Sequence, residues 1–288
     1  MEEAFAFIGF GEAAAALSAG APARGFDRKT DVPETRASKL ADFAAAGVRG
    51  CASAAEAVAG MPAVLSLVTA DQALAAAQQN APQLTSGALW FDMNSVAPDT
   101  KRAAAEAVEE AGGRYVDVAV MAPVHPARRA SPLLVSGPHA RVAVAVLSRL
   151  GFTSVTAMEG AVGAASSIKM IRSVMVKGLE ALTAECALAA YRAGVADHVF
   201  ASLDASWPGA NWRARTNYNL DRMMVHGLRR AAEMEEVIKT LEALGTGSAM
   251  TRGTVERQRA IGALQLSPDR PLDDKFEAIL GYRRDEAA

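Results

Sequence analysis

The chain has 288 residues, enough for a sizeable core and about two domains. Its formal charge of −2 lacks the basic excess of a nucleic-acid binder. Apolar residues make up 51%, much of it alanine, which signals helix rather than membrane, and no run approaches the roughly 18 uninterrupted apolar residues of a membrane span. The start of the chain has no basic flank ahead of its first apolar run, so no secretory signal is expected. A cytoplasmic protein with neither nucleic-acid nor membrane partners is the expectation. Cys51 and Cys186 form no disulfide framework and read as small buried apolar residues. His125, His139, His198 and His226 show no ligand spacing, so no metal is expected.

In chain order, residues 5–10, 48–51, 63–68 and 88–93 are short continuous apolar runs, the pattern of buried parallel strands. Alanine-rich helices lie between them. Pro33 opens one, and Pro98 opens another that ends at Gly112-Gly113. Strand candidates at 115–120, 133–136 and 153–157 follow, with a helix at 140–150. Such alternation predicts an α/β, Rossmann-like, doubly wound parallel sheet over residues 1–162. Beyond it the strand signals fade. Residues 164–193 read as one long helix with Gly194 as its stop, followed by helices at 197–206, 211–225, 228–244 and 254–264. Residues 163–288 are thus predicted to be an all-helical second domain.

The first strand candidate runs into Gly9-Phe10-Gly11-Glu12-Ala13-Ala14, a glycine turn that opens a helix. Gly9 allows the turn, Gly11 lets backbone approach a pyrophosphate, and Ala14 allows the helix to pack close to the sheet. Asp27, at the end of the next strand, is placed to bond a ribose 2′-hydroxyl, which favours NAD. Arg28 and Lys29 are placed to hold a 2′-phosphate, which favours NADP, or else form a solvated loop. Both cofactors stay open. Val68-Thr69 and Asn94-Ser95, at the ends of later strands, are further cofactor candidates, with a helix cap before Pro98 as the other reading of Asn94-Ser95.

Gly160 and Gly163 precede Ser166-Ser167-Ile168-Lys169 and Arg172-Ser173. On a helix, Lys169, Arg172, Ser173, Val176 and Glu180 are expected to share a face. A lysine is costly to bury, so one in an apolar helix behind a glycine pair is a candidate for proton transfer. The hydroxyl of an alcohol must lose its proton as hydride leaves the carbon, and a neutral amine accepts it. Ser173, one turn on, is placed to bond substrate or orient the amine.

Together these segments resemble the β-hydroxyacid dehydrogenase and 6-phosphogluconate dehydrogenase superfamily over nearly the whole chain. The glycine fingerprint, Asp92-Met-Asn94-Ser95-Val-Ala-Pro98, and the run from Gly160 to Ser173 carry the resemblance. It implies an NAD(P)-dependent oxidoreductase acting on CH–OH groups, with Lys169 as general acid/base and a homodimer formed through the helical domain. Two departures stand out. Ser173 replaces the family's asparagine, and Asp117-Val-Ala-Val-Met121-Ala122-Pro123 lacks the serine and glycines of the substrate loop. Met121, Ala122, Pro123 and His125 are then the loop's substrate candidates, with Arg128-Arg129 as a replacement anion site or an ordinary surface loop. Arg172, His226 and Arg229 are further substrate candidates, and Arg229-Arg230 suits a carboxylate or phosphate. A small polar, anionic substrate follows. An imine reductase on the same scaffold, or a cofactor-binding regulatory protein without turnover, are the competing readings.

Overall fold

The computed structural model describes residues 5–18 and 22–285, the side chains of 282–285 excepted. The chain divides into two units, Met1–Met170 and Ile171–Ala288.

In the first unit the strands are β1 (Phe5–Ile8), β2 (Ala23–Phe26), β3 (Arg49–Gly50), β4 (Ala63–Ser66), β5 (Leu89–Asp92), β6 (Arg114–Val120), β7 (Leu133–Ser136) and β8 (Val155–Ala157). The intervening helices are α1 (Glu12–Ser18), α2 (Pro33–Ala45), α3 (Ala54–Val58), α4 (Ala73–Asn80), α5 (Pro98–Glu110) and α6 (Ala140–Arg149). The strands form one sheet in the order β3-β2-β1-β4-β5-β6-β7-β8. The chain reverses its direction of winding between β1 and β4, the place where such sheets hold ligands at the carboxyl ends of their strands.

Alternate residues of each strand feed two cores, one on each face. Phe5, Phe7, Leu65, Phe91 and Val118 meet Leu17, Phe43 and Leu147 on one side. Ala6, Ile8, Val64, Trp90 and Tyr115 meet Val58, Ala77 and Val108 on the other. Period-two burial on both faces explains why these strands read as unbroken apolar runs. The sheet is not wholly parallel as expected: β7 runs antiparallel to β6, with Asp117 opposite Ser136. The link between them, residues 121–132, carries no crossover helix, and a crossover is what parallel neighbours require.

The helix α7 (Ala164–Arg192) begins in the first unit and continues into the second. Its opening turns group with the sheet because Asp117 of β6 and Ser136 of β7 bond its first backbone N–H groups.

The second unit continues with α8 (Ala196–Ser206), α9 (Trp212–Ala243), α10 (Ala249–Ala263) and α11 (Leu272–Asp285). The break expected at His226-Gly227 is not there: α9 runs through both residues. Gly227 is a packing glycine: a Cβ on it would lie 2.3 Å from the Gln258 carbonyl oxygen, and one on Gly262 would lie 2.6 Å from the Leu228 nitrogen. Two bare Cα atoms let α9 and α10 cross at backbone distance, which offsets the roughly 1 kcal/mol that glycine costs inside a helix. Leu188, Phe200, Met223, Met224 and Phe276 centre this unit's core. Cys51 is buried as expected, whereas Cys186 is exposed on α7. No helix of the described residues is long and apolar enough to cross a membrane.

Candidate functional site

The turn after β1 contains two glycines with different physical roles. Gly9 has φ +83°, and a Cβ there would lie 2.4 Å from the Leu67 carbonyl oxygen, so the fold itself demands glycine. Gly11 is outside the positive-φ region, and a Cβ on it would meet nothing within 4 Å. Nothing around Gly11 explains its lack of a side chain. Its bare Cα borders open space where α1 begins, the position a pyrophosphate needs to reach backbone N–H groups. Glu12 is exposed, Ala13 half-buried, and Ala14 fully buried, as close helix–sheet packing requires.

This turn is held from two sides. The Phe10 N–H donates to Asp27 Oδ2 at 2.8 Å, and Lys39 Nζ donates to the Phe10 carbonyl at 2.7 Å. The Phe10 ring stacks on Phe43 with centroids 4.4 Å apart. Asp27 Oδ1 accepts from the Lys29 N–H at 2.9 Å, so the carboxylate ties the glycine turn to the turn Arg28–Thr30. Each oxygen retains a lone pair for a ribose hydroxyl. Arg28 is exposed and donates to Gln72 Oε1 at 2.6 Å. Arg28 follows β2 and Gln72 follows β4, and β1 lies between those strands, so this guanidinium lies across the mouth of the turn.

Of the other strand-end candidates, Val68 is half-buried and Thr69 exposed. Asn94 is buried and works as a strap: its Oδ1 accepts from the Val68 N–H at 2.7 Å, and its Nδ2 donates to Ser66 Oγ and Asp92 Oδ1. Neither Asn94 nor the half-buried Ser95 caps α5, whose cap residue is Ala97 without a side-chain bond. Gly9, Asp27, Val68 and Asn94 therefore gather at one sheet edge, the carboxyl ends of β1, β2, β4 and β5.

A buried polar cluster beneath this edge went unseen in the sequence. Asp92 and Asp117 are register partners on β5 and β6, and both are 0% exposed. Lys101 of α5, also 0% exposed, donates to the Asp92 carbonyl at 2.6 Å and to its Oδ1 at 3.0 Å, and lies 3.5 Å from Asp117 Oδ1. The Tyr115 hydroxyl donates to Asp92 Oδ2 at 2.7 Å. Burial first, and the Asp92 charge second, push that phenol well above its ordinary pKa. The available signal is an acid at the end of one apolar strand, Asp92, and another within the next, Asp117, which need a cation between them.

On α7, Lys169 is half-buried and Ser173 is buried, four residues apart on one helix face. Arg172 is exposed, as is Val176, so the buried face runs through Lys177 and Glu180 instead. Glu180 is committed to Arg230, which grips both of its carboxylate oxygens, and to Gln258 Nε2 at 2.8 Å. Lys177, passed over in the sequence, donates to Glu233 Oε2 at 2.6 Å, and burial lowers its pKa in spite of that carboxylate.

In the β6–β7 link Met121 and Ala122 are half-buried, and Pro123 and His125 exposed. Arg129 is no anion receptor. Its guanidinium donates to the Leu17 carbonyl at 2.6 Å and to that of Ser18, and lies 5.8 Å from the Phe5 and Phe152 ring centroids. Within the helical unit, His226 and Arg229 border a hollow of about 490 Å³ with Gly227, Gly262 and Gln265. Arg229 pairs with Glu233 at 2.6 Å, and Arg230 is buried against Glu180, which leaves it no role as a surface anion site.

Comparison with known proteins identifies the family and the fold. A 36% identical structure, a conserved hypothetical protein from Sinorhizobium meliloti 1021, covers 97% of this chain and 96% of its own length with a TM-score of 0.74. A conserved protein of unknown function, described as structurally similar to 3-hydroxyacid dehydrogenases, is 28% identical over 91% of this chain and 98% of its own, TM-score 0.68. The 3-hydroxyisobutyrate dehydrogenase of Mycobacterium tuberculosis shares the fold at 21% identity, covering 98% of this chain and all of its own, with a TM-score of 0.72. Residues 190–261 match a domain of unknown function. Residues 4–158 match the NAD binding domain of 6-phosphogluconate dehydrogenase, and the chain belongs to that family of NAD(P)-binding, hydroxyacid-dehydrogenase-like proteins.

Proposed function

We propose that this protein is an NAD(P)-dependent dehydrogenase or reductase that interconverts an alcohol and its carbonyl on a small, anionic substrate. The observation that carries the reading is the open space at Gly11, a glycine that neither backbone conformation nor packing requires. The residues around it fit a dinucleotide: a helix start for the pyrophosphate, Asp27 for a ribose hydroxyl, and exposed Arg28 and Lys29 for a 2′-phosphate. A bound nicotinamide supplies or removes hydride. The chain's part is to move the matching proton. Neutral Lys169 Nζ takes the hydroxyl proton during oxidation and, protonated, returns it to the carbonyl oxygen during reduction. Ser173, buried one turn away on the same helix face, orients that exchange. Arg172, three residues from Lys169 and exposed, adds a second cation beside it, which supports an anionic substrate.

Two measurements test this. Titration of NADPH and NADH fluorescence with protein is expected to show binding that weakens at least several-fold in Gly11→Ala while thermal stability is unchanged. Binding that survives the added methyl removes the assignment of the turn. A panel of hydroxy acids, sugar acids and their carbonyl counterparts, run with both cofactors, is expected to give turnover that Lys169→Ala lowers by about 100-fold or more. Near-normal turnover in that variant removes the amine from the mechanism. The same reading places a second copy of the chain against the exposed apolar residues at helical spacing along α7, Ile168, Ile171, Met175 and Leu182. A monomer by light scattering contradicts that part.

A further inference from the structure

We propose that Asp117 is a positioning residue for Lys169: it anchors the first turn of α7 to the sheet and so sets where the amine sits. The proposal rests on the reading of Lys169 as the proton-transfer group. Asp117 Oδ2 accepts from the Gly163 N–H, the Ser166 N–H and the Ser166 hydroxyl, each at 3.1 Å. Ser136 Oγ donates to the same oxygen at 3.1 Å and accepts from the Ala165 N–H at 3.0 Å. Three of the unpaired backbone donors at this helix start are thus satisfied by side chains of β6 and β7.

A helix is ordinarily capped by the residue just before it. Such a cap moves with the helix and leaves it free to pivot. Here the capping carboxylate lies 46 and 49 residues away in sequence, on a central strand. It therefore fixes helix to sheet. Gly163 suits this turn for a separate reason: it has φ +103°, and a Cβ on it would lie 2.6 Å from Arg102 Nη1 and 3.1 Å from Pro98 Cβ of α5. Lys169 is three residues beyond Ser166, one turn along, so any slip of the anchored turn displaces its Cα by a similar amount.

The other half of the carboxylate shows that the arrangement is not the cheapest available to the fold. Among the described residues Asp117 Oδ1 is buried without a hydrogen-bond partner, and the Lys101 ammonium lies 3.5 Å from it. Two buried aspartates share one ammonium. An uncompensated buried charge is costly, and the positive end of α7 is what offsets it. A neutral hydroxyl on β6 would cap the turn without that surplus charge. What the carboxylate adds is four bonds converging on one atom, and hence rigidity at the turn that carries Lys169.

The test follows Lys169 directly, without needing its substrate. Lysines are dimethylated with ¹³C-formaldehyde and borohydride, and the Lys169 resonance is assigned by its loss in Lys169→Gln. Wild type is compared with Asp117→Asn and with the milder Ser136→Ala, along with amide exchange across residues 163–170. The variants are expected to release the first turn and to raise the labelling rate of Lys169 about five-fold, the population change that loss of an ordinary cap produces. The Lys169 signal should also move toward that of an unrestrained lysine, while NADPH affinity is retained. A Lys169 signal and labelling rate that stay as in wild type, with the first turn exchanging faster, overturn the proposal. So does an Asp117→Asn chain that fails to fold while Ser136→Ala leaves Lys169 unaltered. If Lys169 responds as expected but Lys169→Ala retains turnover, the positioning stands and the proton-transfer reading fails, so the two failures are separable.

Discussion

Each unit buries an ionic cluster, and the two are built differently. In the first unit Asp92, Lys101 and Asp117 are all 0% exposed and belong to three elements joined by crossovers. Its carboxylates outnumber its cation, and backbone N–H groups, Tyr115 and Asn94 make up the difference. In the helical unit Lys177, Glu180, Arg230 and Glu233 lie on two helices, α7 and α9, and acids and bases balance in number. Redundancy also differs. Among the described residues Lys101 is the cation that reaches both aspartates, whereas Glu233 has both Lys177 and Arg229, and Glu180 has Arg230 and Gln258. The first cluster therefore hinges on one amine and the second spreads its risk, a consequence of how many neighbours a sheet interior and a helix pair each supply.

Unfolding measurements sharpen or break that contrast. Lys101→Met strands two facing carboxylates in the interior and is expected to cost about 3–5 kcal/mol, the range for removing one partner of a buried pair. Urea unfolding within about 1 kcal/mol of wild type would erase the distinction. Arg230→Met is expected to cost about 2–3 kcal/mol, less because Gln258 still donates to Glu180. Lys177→Met should cost about 1 kcal/mol or less, since Arg229 remains on Glu233 and burial already disfavours the Lys177 charge. Equal losses in Lys177→Met and Lys101→Met would show that partner redundancy does not decide the outcome. A last, smaller effect concerns the rim of the first unit. Arg28→Ala is expected to leave stability unchanged and to weaken NADPH binding more than NADH binding. Equal weakening of both assigns the guanidinium to holding Gln72 alone.

The strand-and-helix order of the first unit was legible because apolar periodicity and turn chemistry are local. The glycine turn was legible for the same reason. Even there, sequence assigned Gly9 to the turn and Gly11 to the pyrophosphate without showing what either one touches. Contact with Leu67, more than fifty positions away, separates the glycine the fold needs from the one it does not. Asn94 is the reverse case. A cap before Pro98 was a sound local reading, but β4 lies beside β5, and the Val68 N–H claims the side chain. The break placed in α9 failed likewise, because glycine stops helices by local rule and joins them when a second helix crosses at that point.

Sequence alone determined that this chain builds a doubly wound sheet, opens it with a dinucleotide turn, and follows it with helices carrying a lysine behind paired glycines. Period and backbone freedom are properties of neighbouring residues, so they survive being read in one dimension. Tertiary structure alone decided which charges are spent inside the protein. Arg129 folds back on α1, Arg230 goes to Glu180, and Asp117 reaches the start of α7. A buried charge must find its partner wherever the crossovers place one, and that distance is written in the packing of strands and helices rather than along the chain.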